Sequence, residues 1–190
     1  MNLRLVIALL CGLVSGTIMA VGLVFSPISL GGVSNGAWIT DRNIGSSDAN
    51  SLVRSLVARR GLLALNRNEA IYFNASRDSA GHNLSERCTY EIIGEMPPAR
   101  WWSLTIYAED NFLPRNTLDH HAVNGSLVQP DPQGRVVIPV GQAEPGAIAT
   151  ENAGLFTLTL RLYHPDPRVL EDLDTLTFPR IERLSCAGET

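Results

Sequence analysis

An uncharged apolar segment near the N-terminus constrains this chain most. From Leu5 to Phe25 the sequence LVIALLCGLVSGTIMAVGLVF contains no charged residue, and Arg4 stands immediately before it. As a helix with a rise of 1.5 Å per residue, this segment covers roughly 30 Å, the thickness of the hydrocarbon core of a bilayer. A segment this apolar and this long is typical of a transmembrane helix.

Two interpretations of this segment remain open, a cleaved signal peptide and an uncleaved anchor. Ala20-Val21-Gly22 offers a small-x-small cleavage site, but a signal peptide usually has an apolar stretch of only about 7–15 residues. The length therefore favours the anchor. Arg4 on the short N-terminal side predicts that this end stays in the cytoplasm and that the remainder crosses the inner membrane into the periplasm. The chain is then a single-pass protein, and the inner membrane is its first partner.

The rest of the chain divides into a linker and one domain. Residues 26–47 are rich in Gly, Ser and Asn, which is typical of a linker, although Trp38 within them indicates that the end of the segment docks on the domain. Residues 48–190 then form the exported domain. It begins with a helix capped by Ser46 or Ser47 and ended by Gly61, and a second helical turn is predicted at Pro165–Leu173.

The remaining segments have the alternation of β-strands. Strands are predicted at Glu69–Arg77, Arg87–Gly94, Trp101–Glu109, Gly134–Val140 and Leu155–His164, with Pro- and Gly-containing turns between them. Several short strands with little helix between them favour a mainly β fold, an antiparallel sandwich or jelly-roll with one or two short helices.

Alternation also assigns side chains to the two faces of a sheet. In the last predicted strand Leu158, Leu160 and Leu162 share one apolar face, which we expect to be core. The opposite faces of three strands carry aromatic rings, hydroxyls, an amide, an arginine and a carboxylate. These candidate ligand-binding residues are Tyr72, Asn74, Asp78, Trp101, Thr105, Tyr107, Arg161 and Tyr163.

Such a face suits a glycan-like ligand, because rings stack on the C–H face of a sugar while polar groups bond to its hydroxyls. The same composition also suits a protein interface or a solvated sheet face. The leading hypothesis is thus a membrane-tethered periplasmic domain that binds an envelope glycan or a protein partner through this face. A structural domain that associates with itself is one alternative.

A cell-envelope hydrolase acting on glycans is the other alternative, with Asp78 and His82 or a neighbouring acid as its catalytic groups. The sequence contains no nucleophile elbow, Walker loop or dinucleotide fingerprint, which argues against the commonest enzyme classes. His120 and His121 are adjacent and would point to opposite faces of a strand, so no metal site is predicted. Nothing in the sequence implies a cofactor.

Charge and cysteine content limit the partners and the compartment. The formal net charge is −4 and no basic patch is present, so nucleic acid is not expected as a partner. Of the three cysteines, Cys11 lies in the apolar segment, which leaves Cys88 and Cys186 as the pair beyond the membrane. These two either form a disulfide that closes a loop of about a hundred residues or remain as one buried and one free thiol.

Several blocks of the sequence resemble a known family. EAIYFNASRDSAGHNLS, CTYEIIGEMPPARWWSLTIYAEDNFLPRN and FTLTLRLYHPDPRVL, followed by FPRIERLSC, occur in the order found in the bacterial domain of unknown function 1214 family. The resemblance covers Trp38 to Cys186 and implies a sandwich-like β fold in an exported protein. In longer members this domain follows a second domain, whose place is taken here by the membrane segment.

Overall fold

The computed structural model describes residues 2–25, 32–41, 43–47, 49–59, 65–141, 147–173 and 175–188. The first element is helix α1 (Leu3–Phe25), as the uncharged segment predicts. Its side chains are almost all exposed, and the stretch Leu3–Leu23 has a mean hydropathy of 2.3. This helix is long and apolar enough to span a membrane.

The domain contains ten strands and two further helices among the described residues. In chain order they are β1 (Gly32–Asn35), β2 (Trp38–Asp41), α2 (Ser51–Arg59), β3 (Ala70–Ala75), β4 (Cys88–Glu95), β5 (Ala99–Tyr107), β6 (Ala122–Asn124), β7 (Arg135–Gly141), β8 (Ile148–Ala149), β9 (Thr157–Pro165), α3 (Pro167–Glu171) and β10 (Arg180–Cys186). All five predicted strands are present with slightly shifted ends.

The strands form two sheets. The six-stranded sheet has the order β1-β2-β3-β9-β5-β6 and is antiparallel throughout. The four-stranded sheet has the order β10-β4-β7-β8, in which β7 and β8 pair in parallel and the other pairs are antiparallel. The prediction of a mainly β, sandwich-like fold is confirmed, and the parallel β7–β8 pair is a feature that the sequence pattern did not predict.

One hydrophobic core joins the inner faces of these two sheets. The six-stranded sheet contributes Leu158, Leu160 and Leu162 of β9, all without exposed surface, as the alternation predicts. The four-stranded sheet contributes Tyr90 of β4 and Ile138 of β7, which are equally buried. Since neither sheet could hide its apolar face alone, packing the two faces together supplies most of the driving force for folding.

Residues 32–41, which the sequence analysis assigns to the linker, form the β1–β2 hairpin. Ile39 pairs with Asn74 of β3, so the hairpin extends the six-stranded sheet. Trp38 is buried, and its Nε1 donates a hydrogen bond to the Pro179 carbonyl oxygen at 2.8 Å. Asn35 donates further bonds to the carbonyls of Leu173 and Leu176. Trp38 therefore docks on the domain as expected, within a strand rather than at the end of a linker.

The helices begin differently from the prediction. Helix α2 begins at Ser51, and the Oδ1 atom of Asn50, rather than Ser46 or Ser47, accepts a hydrogen bond from the Val53 N–H at 3.0 Å. Gly61, its predicted end, lies outside the described residues. Helix α3 begins after Asp166, whose side chain accepts from the Arg168 N–H, and Pro167 occupies its first turn.

Cys88 and Cys186 form a disulfide, which settles the alternative that the sequence left open. They are directly opposite each other in the β4–β10 pair, so the bond fixes the last strand to the middle of the four-stranded sheet. The cross-link joins positions 98 residues apart. A disulfide of this kind forms and persists in oxidising compartments.

Candidate functional site

The candidate site lies on the side of the six-stranded sheet that faces away from the core. Here β3, β9 and β5 run side by side, and their pairing brings Arg161 opposite Tyr72 on β3 and Ser103 on β5. Trp101 is opposite Tyr163 in the same register. We call this surface the outer face; its members are Tyr72, Asn74, Trp101, Thr105, Tyr107, Arg161 and Tyr163, seven of the eight residues predicted from the sequence.

Arg161 is half-buried at the centre of the outer face and is held there by neutral groups. One terminal nitrogen donates to Thr105 Oγ1 at 2.9 Å and the other donates to the Tyr107 hydroxyl. The guanidinium carbon lies 5.5 Å from the ring centroid of Tyr107 and 5.9 Å from that of Tyr72. These contacts fix the direction of the side chain, because both hydrogen bonds and both cation–π contacts require the same placement.

The outer face contains no carboxylate that neutralises this arginine. No ion pair of Arg161 is present within 4.0 Å among the described residues. Asp41, at the end of β2, accepts a hydrogen bond from the Asn43 N–H instead. The positive charge of Arg161 is therefore positioned by hydroxyls and rings but is not balanced by a protein anion.

Trp101 and Tyr163 form an aromatic pair near one end of the outer face. Their ring centroids are 5.1 Å apart with the planes inclined by 50°. The indole N–H of Trp101 donates to Ser126 Oγ at 3.1 Å, and 37% of the residue is exposed. Trp101 is therefore a partly open ring held in place from two sides, whereas Trp102 packs against the core.

A second polar pair lies on the same face. Thr159 Oγ1 donates to Asn74 Oδ1 at 2.7 Å across the β3–β9 pair. This bond fixes the orientation of the Asn74 amide, and Asn74 as a whole is exposed. Thr159 and Ser126 take part in the geometry of the outer face although the sequence did not mark them as site residues; Thr159 is detectable by alternation, and Ser126 is not, because it lies in a turn.

Asp78, the eighth predicted residue, is placed elsewhere. Strand β3 ends at Ala75, and the following turn directs the Asp78 carboxylate inward, with 1% of its side chain exposed. Oδ1 accepts from the backbone N–H groups of Ala80 and His82, both at 2.9 Å. Oδ2 lies 3.2 Å from His82 Nδ1 and 3.9 Å from Arg183 Nε of β10. Asp78 thus organises a turn beside the four-stranded sheet.

The environment of Asp78 keeps its carboxyl ionised. Burial by itself would raise the pKa, but the hydrogen bonds from the His82 and Ala80 N–H groups and from the imidazole outweigh that effect and lower it. Gly81 has a φ of +93°, a backbone conformation that side chains disfavour, and this allows the tight turn around the carboxylate. The ionised Asp78 carboxylate therefore stabilises the conformation of this turn.

The other histidines do not converge on a metal-binding arrangement. His121 contacts the Pro114 carbonyl oxygen through Nε2 at 2.7 Å and Asp119 through Nδ1 at 3.3 Å. Within the described ranges, no group of three or more His, Cys, Asp or Glu side chains is placed to hold a metal ion.

The fold and the outer face define a two-sheet β domain that follows a single apolar helix. A family model described as "Protein of unknown function (DUF1214)" matches residues 69–167. The chain belongs to this family, as the resemblance of its sequence blocks indicates, and the matched range includes every residue of the outer face. No curated protein matches the chain.

Two solved structures match this chain. A protein from Vibrio parahaemolyticus is 22% identical and aligns with a TM-score of 0.59 over 73% of this chain and 36% of its own. An uncharacterized protein from Burkholderia cenocepacia is 17% identical, with a TM-score of 0.42 over 64% of this chain and 31% of its own. This chain therefore spans about a third of the length of each. The similarity to the Vibrio parahaemolyticus protein shows that the two chains share a fold.

Proposed function

We propose that this chain is a membrane-tethered domain on the periplasmic side of the inner membrane, and that it binds a sugar-containing ligand through the outer face. The observation that carries the proposal is the placement of Arg161. Its guanidinium is fixed by Thr105, Tyr107 and Tyr72 on a surface that remains partly open to solvent. A polar group held in position before any ligand arrives reduces the entropy lost on binding.

The location is supported by α1 and by the disulfide. Helix α1 has the length and hydropathy of a membrane span, and Arg4 at its start favours an N-terminus in the cytoplasm. The domain would then lie in the periplasm, where the Cys88–Cys186 bond can form and persist.

A sugar is the ligand class that best fits the mixture of groups on the outer face. The Trp101–Tyr163 pair offers a partly exposed ring surface on which the C–H face of a pyranose can stack. Along the same strands, Asn74, Thr105 and Arg161 supply an amide, a hydroxyl and a guanidinium for hydroxyl groups. An apolar peptide would cover the remaining N–H donors of Arg161 without offering them acceptors, at a cost in affinity.

Retention on polysaccharide tests the proposal. The full chain in detergent micelles is passed over immobilised, purified envelope polysaccharides, and we expect retention that Trp101→Ala weakens by about tenfold through loss of stacking. Leu184→Ala is the matched control, because Leu184 is a well exposed apolar residue of β10 in the other sheet. If no polysaccharide retains the unaltered chain, or if both variants weaken retention equally, the proposal is wrong.

The glycan hydrolase is less well supported by the geometry. Both Asp78 oxygens already accept bonds from the turn, from His82 or from backbone N–H groups. A lowered pKa also opposes a role as a general acid, which requires a raised one. The outer face contributes no carboxylate either, so it lacks the pair of acids on which most glycosidases depend.

Self-association through the outer face is the other alternative, and it predicts a different result. A second copy would cover Trp101 and Tyr163, so Trp101→Ala would shift the chain toward the monomer in analytical ultracentrifugation in detergent. If the outer face instead binds a ligand, the unaltered chain and Trp101→Ala should have the same mass distribution.

A further inference from the structure

The positive charge of Arg161 indicates which class of sugar the outer face would bind. Arginine has five N–H donors, and Arg161 uses two of them, one to Thr105 and one to Tyr107. The other three, including Nε–H, have no acceptor among the described residues. A guanidinium with free donors on adjacent nitrogens has the geometry that binds a carboxylate through two parallel hydrogen bonds.

The surroundings of Arg161 make an anion the expected partner of those donors. The side chain is half-buried, so part of its hydration is lost, and no carboxylate within 4.0 Å in the described part of the chain replaces it. The rings of Tyr72 and Tyr107 hold the cation but do not neutralise it. An anionic group of a ligand would complete the set of hydrogen bonds in a partly desolvated position, where such bonds are strong.

The ring pair stands apart from the guanidinium along the strands. Trp101 and Thr105 are four residues apart on β5, a separation of about 13 Å at 3.3 Å per residue. Arg161 donates to Thr105 and Tyr107, so its guanidinium is directed away from the Trp101 end of the face. A ligand that contacts both must be longer than a single sugar ring and must carry its charge away from the stacked ring.

Resting on the proposed function, we infer that the ligand is an acidic oligosaccharide, one that carries carboxylates on its sugar rings. One sugar stacks on the Trp101–Tyr163 pair, and a carboxylate of a neighbouring sugar binds Arg161. None of the seven residues of the outer face is acidic, and Asp41 of the neighbouring strand β2 accepts a hydrogen bond from the Asn43 N–H.

Matched acidic and neutral probes test this inference on the full chain in detergent micelles. The probes are tetragalacturonate and its fully methyl-esterified form, which has the same rings and hydroxyls but no charge. Isothermal titration calorimetry should give an affinity about tenfold or more higher for the acid, the range expected for a hydrogen-bonded charged group. The preference should decrease as salt is raised, because the guanidinium is only half-buried.

Two variants of Arg161 locate the preference. Arg161→Gln should bring the acid-to-ester affinity ratio close to one, and Arg161→Lys should keep only part of it, because an ammonium cannot form the paired contact. Should Arg161→Gln fail to fold, the affinities of the unaltered chain for the acid and the ester still decide whether the ligand is acidic.

The outcomes separate this inference from the proposed function. Equal affinity for the acid and the ester overturns the inference and leaves sugar binding in place. If neither probe binds, the inference is overturned, and the polysaccharide retention assay decides separately whether the proposed function holds. Inorganic phosphate that displaces tetragalacturonate at equal concentration would show an unselective anion site, which also overturns it.

Discussion

The two faces of the six-stranded sheet are built from the same strands and differ in composition and exposure. Leu160 and Arg161 are neighbours in β9, yet Leu160 has no exposed surface and contacts the core, whereas Arg161 is directed to the half-open outer face. On the inner face, the buried residues of β9 are the aliphatic Leu158, Leu160 and Leu162. On the outer face, Asn74, Thr105, Tyr107 and Arg161 take part in hydrogen bonds between side chains. Alternate residues of one strand are thus divided between the core and, under the proposed function, ligand binding.

This division makes the two faces separable by mutation. Changes on the inner face should act on the free energy of unfolding, and changes on the outer face should act on binding with little effect on folding. If substitutions on both faces destabilise the chain to the same extent, the outer face is a second core surface and the comparison fails.

The largest effect is expected for Leu160→Ala. Removing a fully buried leucine opposite Phe73 and Leu104 leaves a cavity between the sheets and should lower the free energy of unfolding by about 2–5 kcal/mol. Chemical denaturation of the full chain in micelles measures it. A loss under about 1 kcal/mol would mean that the inner face is not tightly packed.

Loss of the Cys88–Cys186 bond should have the next largest effect. The bond restricts the unfolded chain over a separation of 98 residues, so replacing both cysteines by serine should cost about 2–4 kcal/mol. The same assay, with and without reductant, reports it. Reductant should lower the free energy of unfolding of the unaltered chain and leave that of the double variant unchanged. If breaking the bond with reductant does not change the free energy of unfolding of the unaltered chain, the disulfide adds nothing to stability.

Asp78→Asn should have an intermediate effect that depends on pH. Hydrogen bonds in the turn lower the folded-state pKa of Asp78 below the ordinary value of 3.8 for this side chain. Its ionised form therefore stabilises the fold above that pH, and the contribution is lost as the pH falls through the folded-state pKa. At neutral pH we expect a loss of about 1–3 kcal/mol. The gap between the variant and the unaltered chain should narrow below pH 3.8; a constant gap would show that the charge is not responsible.

The smallest effect on folding is expected for Trp101→Ala. Its ring pair with Tyr163 and its bond to Ser126 are partly exposed, so the loss should be about 0.5–1.5 kcal/mol in thermal or chemical unfolding. A loss as large as that of Leu160→Ala would identify Trp101 as a core residue. A small loss together with weaker polysaccharide retention would confirm that the outer face serves binding.

Much of the sheet could be predicted because alternation is a local signal. The row Leu158, Leu160 and Leu162 identifies the inner face of β9 directly, and the opposite residues of β3 and β5 follow in the same way. The sequence does not predict the hairpin of β1 and β2, because its strands have four residues each and lie within a Gly- and Ser-rich segment that is equally typical of a linker.

The site was predicted incompletely for a related reason. Asp78 continues the alternate pattern of Tyr72 and Asn74, but strand β3 ends before it, so the periodicity no longer describes where its side chain points. The bond from Trp101 to Ser126 joins residues 25 positions apart, and the pattern of one strand contains no information about a turn on another. Contacts between distant residues depend on register, which only the folded chain provides.

Under the proposed anchoring, the short connection between α1 and β1 limits the distance between the domain and the bilayer. Helix α1 ends at Phe25 and β1 begins at Gly32, and these two residues, seven steps apart along the chain, can be at most about 25 Å apart. For a chain anchored as proposed, the short connection thus keeps the β1 edge of the six-stranded sheet close to the membrane surface. The domain can sample only the layer of the envelope next to the inner membrane, so any ligand must be delivered to that layer or be made there.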